Sequence, residues 1–274
     1  MTLSATKRLK ALVIWITLAV ILIAFLFPIY WMVLSSVKTQ IENLAYPPKF
    51  MVRPTSKNYE VIFVRENYLK YIKNSVIVAL GSVIFSLLLG IPAAYSIVHH
   101  KQKRVALFLL LGRILPGVSV LIPWFVVYAR LKLIDTYIGV VMAHMIQVFP
   151  LVTWLMITYF SEIPSSLHDQ GMIDGCSIYG ILQKIILPLS TPGLATAAIL
   201  AFIFSWNNFM FSLVFAQSRT MTLPIAAYKF IGYGEIDWGG ITAAATVITL
   251  PVMVLGLVIQ RWVVQGLTLG ALKG

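Results

Sequence analysis

Residues 161–193 read SEIPSSLHDQGMIDGCSIYGILQKIILPLSTPG, a polar island in an otherwise apolar chain. Ser166, followed three residues later by Asp169, is a capping-box pattern that starts a helix. Asp174-Gly175 closes that helix, because glycine takes the left-handed conformation of a helix end without steric cost. Ser177 then caps a second helix. In it Ile178, Ile181, Leu182, Ile185 and Ile186 share one face at the helical period. Pro188 ends it. The stretch is therefore two short helices around one turn. It suits either an amphipathic connector lying on a membrane surface or a docking element for another protein.

The surroundings are lipid-soluble. Of 274 residues, 59% are hydrophobic and 11% charged, with a mean hydropathy of +0.90. A soluble globular protein carries about 25% charged residues, so this composition predicts an all-α membrane protein. Apolar runs mark six spans, at about 11–37, 75–98, 105–128, 137–160, 191–216 and 239–259. The loop 161–190 joins spans four and five, and 1–274 reads as a single transmembrane domain. The first run is longer than a signal-peptide core and no small-residue cleavage site follows it, so it reads as an uncleaved span. Residues 38–73 form a long polar loop broken at Pro47-Pro48 and Pro54, with a short helix expected within 58–67. Pro116-Gly117 interrupts the third span, and Pro150, Pro192 and Pro251 lie in or at the start of others. They mark kinks, or ordinary proline tolerance in lipid.

The net charge of +12 is not a nucleic-acid signal. The basic residues are scattered over tails and loops without a basic-aromatic motif, and membrane phosphates suit them better. A single cysteine, Cys176, excludes an intrachain disulfide framework. The histidines His99, His100, His144 and His168 have no metal-ligand spacing, so no metal site is expected.

The acidic residues Glu42, Glu60, Glu66, Asp135, Glu162, Asp169, Asp174, Glu235 and Asp237 all fall in loops. Ion-driven carriers keep a costly carboxylate inside the membrane, which weighs against a stand-alone secondary carrier or channel. No G-x-x-x-x-G-K-[ST] phosphate loop is present, so the chain has no such device for holding ATP. No catalytic constellation is found within the spans. The polar groups inside them are Arg113, His144, Gln147, Asn207 and Asn208. His144 reads as a hydrogen-bonded packing residue. Trp206-Asn207-Asn208 offers two amides and an indole, which suit a sugar's hydroxyls and C–H face. The same residues suit helix–helix packing.

Three motifs carry a family resemblance. Pro164, Leu167, Ile173-Asp174-Gly175, Leu187-Pro188-Leu189 and Pro192 resemble the "EAA" loop of binding-protein-dependent ABC importer permeases. Ser205-Trp206-Asn207-Asn208-Phe209 resembles the W-N-D-F run of the sugar-importing branch. Gln260-Arg261-Trp262, Gly266-Leu267-Thr268 and the Lys273-Gly274 tip resemble the tail of the maltose-type second permease. The resemblance implies a cytoplasmic coupling loop in which Leu167, Asp169, Gly171, Ile173, Asp174, Gly175 and Ile178 meet an ATPase. It also implies a tail with Arg261, Gly266 and Lys273 against that ATPase, and Trp206, Asn207 and Asn208 in the substrate path. The implied partners are a second homologous permease, a cytoplasmic ATPase dimer that uses the ATP, an extracytoplasmic substrate-binding protein facing the 217–238 loop, and membrane lipid. The chain itself would bind no cofactor and no nucleic acid. Six spans put both termini on one side. Lys and Arg counts do not separate the two sides, but the dense turn His99–Arg104 and the basic N-terminus favour the cytoplasm for the termini. The resemblance decides the orientation more firmly, because the 161–190 loop would meet a cytoplasmic ATPase, and it implies a multi-pass protein of the inner membrane with both termini cytoplasmic. One departure stands out: Asp169-Gln170-Gly171 replaces the usual Glu-Ala-Ala, and a helical glycine costs about 1 kcal/mol relative to alanine.

Overall fold

The computed structural model describes residues 2–114, 117–232 and 235–271. Four helices are long and apolar enough to cross a bilayer: Lys7–Ser36, Tyr68–His99, Tyr137–Ser161 and Trp238–Gln260. Two pairs, Lys103–Gly112 with Gly117–Arg130 and Ile178–Leu189 with Thr191–Trp206, qualify only together, across a sharp bend, and bring the candidate spans among the described residues up to six if each bent pair is one span. The architecture is thus all-helical and membrane-spanning, as the composition requires.

The chain divides into two compact units. The first comprises Met1–Asn67 and Ala227–Val247. Its long helix, Thr2–Ser36, ends in a knot of local hydrogen bonds. Asn58 donates its amide to the carbonyls of Ser36 and Lys38, both at 2.8 Å. Thr39 and Glu42 form a full capping box on the short helix Gln40–Asn43. Gln40 donates to the Ile236 carbonyl at 2.6 Å and accepts from the Trp238 amide at 3.0 Å, which ties the 230s loop to the same knot. The expected short helix appears as Lys57–Glu60 continued by a π turn, Val61–Arg65.

The second unit comprises Tyr68–Ala226 and Ile248–Gly274. Its second span begins at Tyr68, seven residues before the apolar run. Lys70 and Lys73 end that run without ending the helix, because they lie on its exposed face while Tyr68, Tyr71 and Asn74 are buried. The second and fourth spans build the core around Val83, Tyr95, Val148, Val152 and Met156, and Ala197 and Ala201 of the fifth close it. Thr136 caps the fourth span by accepting the Gly139 amide at 3.1 Å.

The fifth span departs from expectation. Instead of one helix over 191–216, the chain forms Thr191–Trp206, a break at Asn207–Phe209, and a short helix Met210–Phe215. Asparagine side chains compete with helical backbone bonds, and here the Asn208 carbonyl oxygen accepts the Phe211 amide at 3.0 Å. The side chain thus caps the short helix that follows the break.

Asp135, whose only expected feature was its place in a loop, clamps one end of this unit. It accepts the amides of Gln217, Arg219 and Thr220 and the Thr220 hydroxyl, at 2.8–3.1 Å. Asn74 holds the same loop by donating to the carbonyls of Arg219 and Met221. Burial pushes the Asp135 carboxyl upward, but these hydrogen bonds outweigh it and hold the group below its ordinary value of 3.8.

Candidate coupling loop and translocation cleft

The helix–turn–helix forms, with one change at its start. The first helix is Ser165–Ile173, preceded by Pro164, which makes no side-chain cap. Ser166 is inside this helix rather than capping it. Proline supplies the extended entry through its fixed φ of −57°, and Asp169 is left exposed on the surface.

The turn is a Schellman motif. Gly175 donates to the Met172 carbonyl at 3.1 Å and Cys176 to the Gly171 carbonyl at 2.9 Å. Gly175 has φ +77°, the left-handed conformation anticipated for it. Ser177 then caps the second helix by accepting the Gly180 amide at 3.1 Å. Four residues thus reverse the chain with both helix ends satisfied. The second helix runs from Ile178 through a π turn at Leu182–Ile186 to Leu189, one residue beyond Pro188. Proline brings no amide to the turn ahead of it, and the Leu187 amide bonds back to Leu182 in the wider π spacing. The helix then meets Thr191–Trp206 at 82°, so it lies across the fifth span's axis.

Two faces of this element differ. Ile181, Leu182 and Ile186 are buried in the core of the second and fourth spans. Gly171 is buried against them: a Cβ there would stand 3.0 Å from both Ile181 and Ile185. The departure from alanine therefore coincides with close packing of the two helices. The opposite face carries Met172, Ile173, Ile178 and Tyr179, which are 50%, 84%, 50% and 71% exposed. Asp169, Asp174 and Gly175 are exposed beside them, and Leu167 is half-buried. At the base, the His168 ring packs on His99 of the second span, centroids 4.0 Å apart, and so joins the loop to that span. The side chains of Arg261 and Gly266's surroundings, and all of Lys273, lie outside the described residues, as does the Arg113 side chain.

The three residues of the W-N-N run have different surroundings. Trp206 is 3% exposed, stacks on Phe202 and donates its indole N–H to the Ile248 carbonyl at 3.0 Å. Asn208 is 7% exposed and donates to Gln147 at 2.9 Å. Asn207 is exposed in an open cleft of ≈ 490 Å³, whose walls include Gly117, Gln147, Phe204, Phe209 and Met210. Asn208 borders it as well, so the cleft joins three amides to aromatic and sulfur-bearing walls. Behind it, His144 is buried between two hydroxyls, Nδ1 at 2.8 Å from Ser205 and Nε2 at 2.9 Å from Ser212. A neutral imidazole donates at one nitrogen and accepts at the other, so it fastens the fourth span to both sides of the break in the fifth. The packing role was legible for His144. Its partners were not, although Ser205 and Ser212 flank the break in an otherwise apolar run.

Residues 86–269 match the family described as "Binding-protein-dependent transport system inner membrane component". The trehalose/maltose transport system permease protein MalG of Thermococcus litoralis is 33% identical over 282 residues, covering 97% of this chain and 98% of that protein. The sulfoquinovosyl glycerol transport system permease protein SmoH of Agrobacterium fabrum is 34% identical over 265 residues, covering 95% and 93%. Among solved structures, a chain of a bacterial ABC transporter involved in the import of the acidic polysaccharide alginate superposes with a TM-score of 0.74 at 20% identity, covering 93% of this chain and 97% of that one. With two thirds of its length inside the family match and near-complete alignment to such relatives, the chain belongs to the binding-protein-dependent transport system inner membrane components.

Proposed function

We propose that this chain is the membrane subunit of an ATP-driven carbohydrate importer, forming half of the translocation path and coupling it to a separate cytoplasmic ATPase. The observation that carries the reading is the exposed apolar face of the 161–190 loop. Met172, Ile173, Ile178 and Tyr179 stand out around a turn fixed by two backbone hydrogen bonds and the Ser177 cap, beside a helix set across the fifth span. Large exposed apolar side chains on a rigid element mark a protein contact. The other face is packed into the core, so a push on the turn reaches the second, fourth and fifth spans as a rigid-body shift. The carbohydrate class is supported by the trehalose/maltose and sulfoquinovosyl glycerol relatives, and the cleft's amides and aromatic walls suit it. A second homologous permease completes the path, and a substrate-binding protein delivers from the far side. The loop then faces the cytoplasm, as do both termini.

The test is purification from the native membrane. An ATPase subunit should accompany the chain, hydrolysis should require that subunit, and the chain alone in liposomes should neither hydrolyse ATP nor move sugar. Hydrolysis by the single chain after removal of contaminants would overturn the reading.

Asn207→Leu probes the cleft. Losing one hydrogen bond to a sugar costs about 1 kcal/mol, so transport should fall about fivefold with assembly intact. Trp206→Ala should instead weaken assembly, because its indole is buried between helices. Unchanged uptake in Asn207→Leu removes this side chain from the path.

A further inference from the structure

We propose that residues 46–51 turn back to the depth of the first span's aromatic belt and rest in the interfacial layer of the lipid bilayer. Two contacts fix the course of this loop. The Thr55 amide donates to the Val37 carbonyl at 2.8 Å, at the end of the first span. The Phe50 ring meets Trp31 edge-on, centroids 5.3 Å apart. Trp31 lies six residues before Val37, which is about 9 Å deeper along a helix. Residues 50–55 therefore run back alongside the last two turns of the span. Trp31 marks the boundary of the hydrocarbon: Tyr30 is its neighbour, and the polar residues Ser35, Ser36 and Lys38 begin one turn later. The buried Lys38 ammonium covers the Trp31 ring at 4.1 Å.

Phe50, which meets Trp31, and the side chains flanking it face outward. Tyr46 and Met51 are each 96% exposed and Phe50 is 54% exposed. They continue the first span, whose most apolar 18-residue stretch has no residue buried against this chain. Tyrosine at this level keeps its ring in the acyl region and its hydroxyl among headgroups. Lys49 and Arg53, both exposed, flank the apolar run Phe50-Met51-Val52, where their long side chains can reach headgroup phosphates. Aromatic, apolar and cationic side chains at one depth fit a bilayer interface better than they fit the surface of a soluble partner.

The experiment places a single cysteine at Met51 or Tyr46 on a Cys176→Ala background, with Lys57 as the control. The full-length chain, purified with the subunits that accompany it, is labelled with an environment-sensitive fluorophore and set in phosphatidylethanolamine–phosphatidylglycerol nanodiscs. At positions 51 and 46, lipids carrying a nitroxide high on the acyl chain should quench more strongly than aqueous iodide. At position 57 the order should reverse. Iodide quenching at 51 and 46 as strong as at 57 would place the loop in water and overturn the proposal. Protection from iodide without lipid quenching would equally overturn it, and would assign the surface to another subunit.

Discussion

In Gly175→Val, ATP hydrolysis by the assembled complex should lose its stimulation by binding protein and substrate, and transport should fall to background. Gly175 sits at φ +77°, where a β-branched residue is strongly disfavoured, at a cost of about 2 kcal/mol or more. Beyond its two chain neighbours no residue comes within 4 Å of where its Cβ would be, so the penalty is one of backbone conformation and not of crowding. The valine variant relieves the strain by leaving the left-handed region, which breaks the bonds from Gly175 to Met172 and from Cys176 to Gly171. The two helices then lose their fixed angle, while the core contacts of Ile181, Leu182 and Ile186 persist. The variant should therefore assemble and hydrolyse ATP without coupling. Gly175→Asn, which tolerates the left-handed region, should retain most of the stimulation. Normal transport in Gly175→Val would show that the turn geometry is irrelevant to coupling.

Asp135→Ala should release the 217–220 segment. The carboxylate accepts three backbone amides and one hydroxyl. Hydrogen bonds to a charged group contribute about 1.5–3 kcal/mol each without full additivity. Losing them should open the segment by about 3 kcal/mol, or on the order of 100-fold faster hydrogen exchange at Gln217, Arg219 and Thr220. The pH dependence has a definite sign. The folded carboxyl titrates below its ordinary value of 3.8, so its stabilisation is fully present above that value and fades as pH falls below it. Protection of these three amides should weaken on that acid limb in the native chain and be flat there in Asp135→Ala. Equal exchange in the two proteins at neutral pH would contradict the clamp.

What the sequence disclosed follows from the range of the forces involved. The helix–turn–helix was legible because Gly175 and Ser177 act locally, each through one dihedral preference or one cap. Membrane class was legible because lipid demands long apolar runs. The start of the second span was hidden, since Lys70 and Lys73 interrupt hydropathy but sit harmlessly on an outer face. The break after Trp206 was hidden because Asn208 caps the short helix with its own side chain, and hydropathy does not register that choice. Asp135 and His144 act through partners more than 60 residues away in sequence, so their roles needed the fold. The division of Trp206, Asn207 and Asn208 into buried and cleft-facing members likewise depends on which helix face the break turns toward Gln147.

Cys176, the one thiol of the chain, reports on the docking turn directly because it follows Gly175 and is half-buried between the two helices. A membrane-impermeant maleimide should leave it unlabelled in intact cells and label it in inverted vesicles that contain the permease subunits alone. Adding the ATPase should slow that labelling, and a cysteine at Ser177 on a Cys176→Ala background should behave the same way from a more exposed position. Labelling of intact cells from outside, or rates that the ATPase leaves unchanged at both positions, would contradict docking of a cytoplasmic ATPase on this turn.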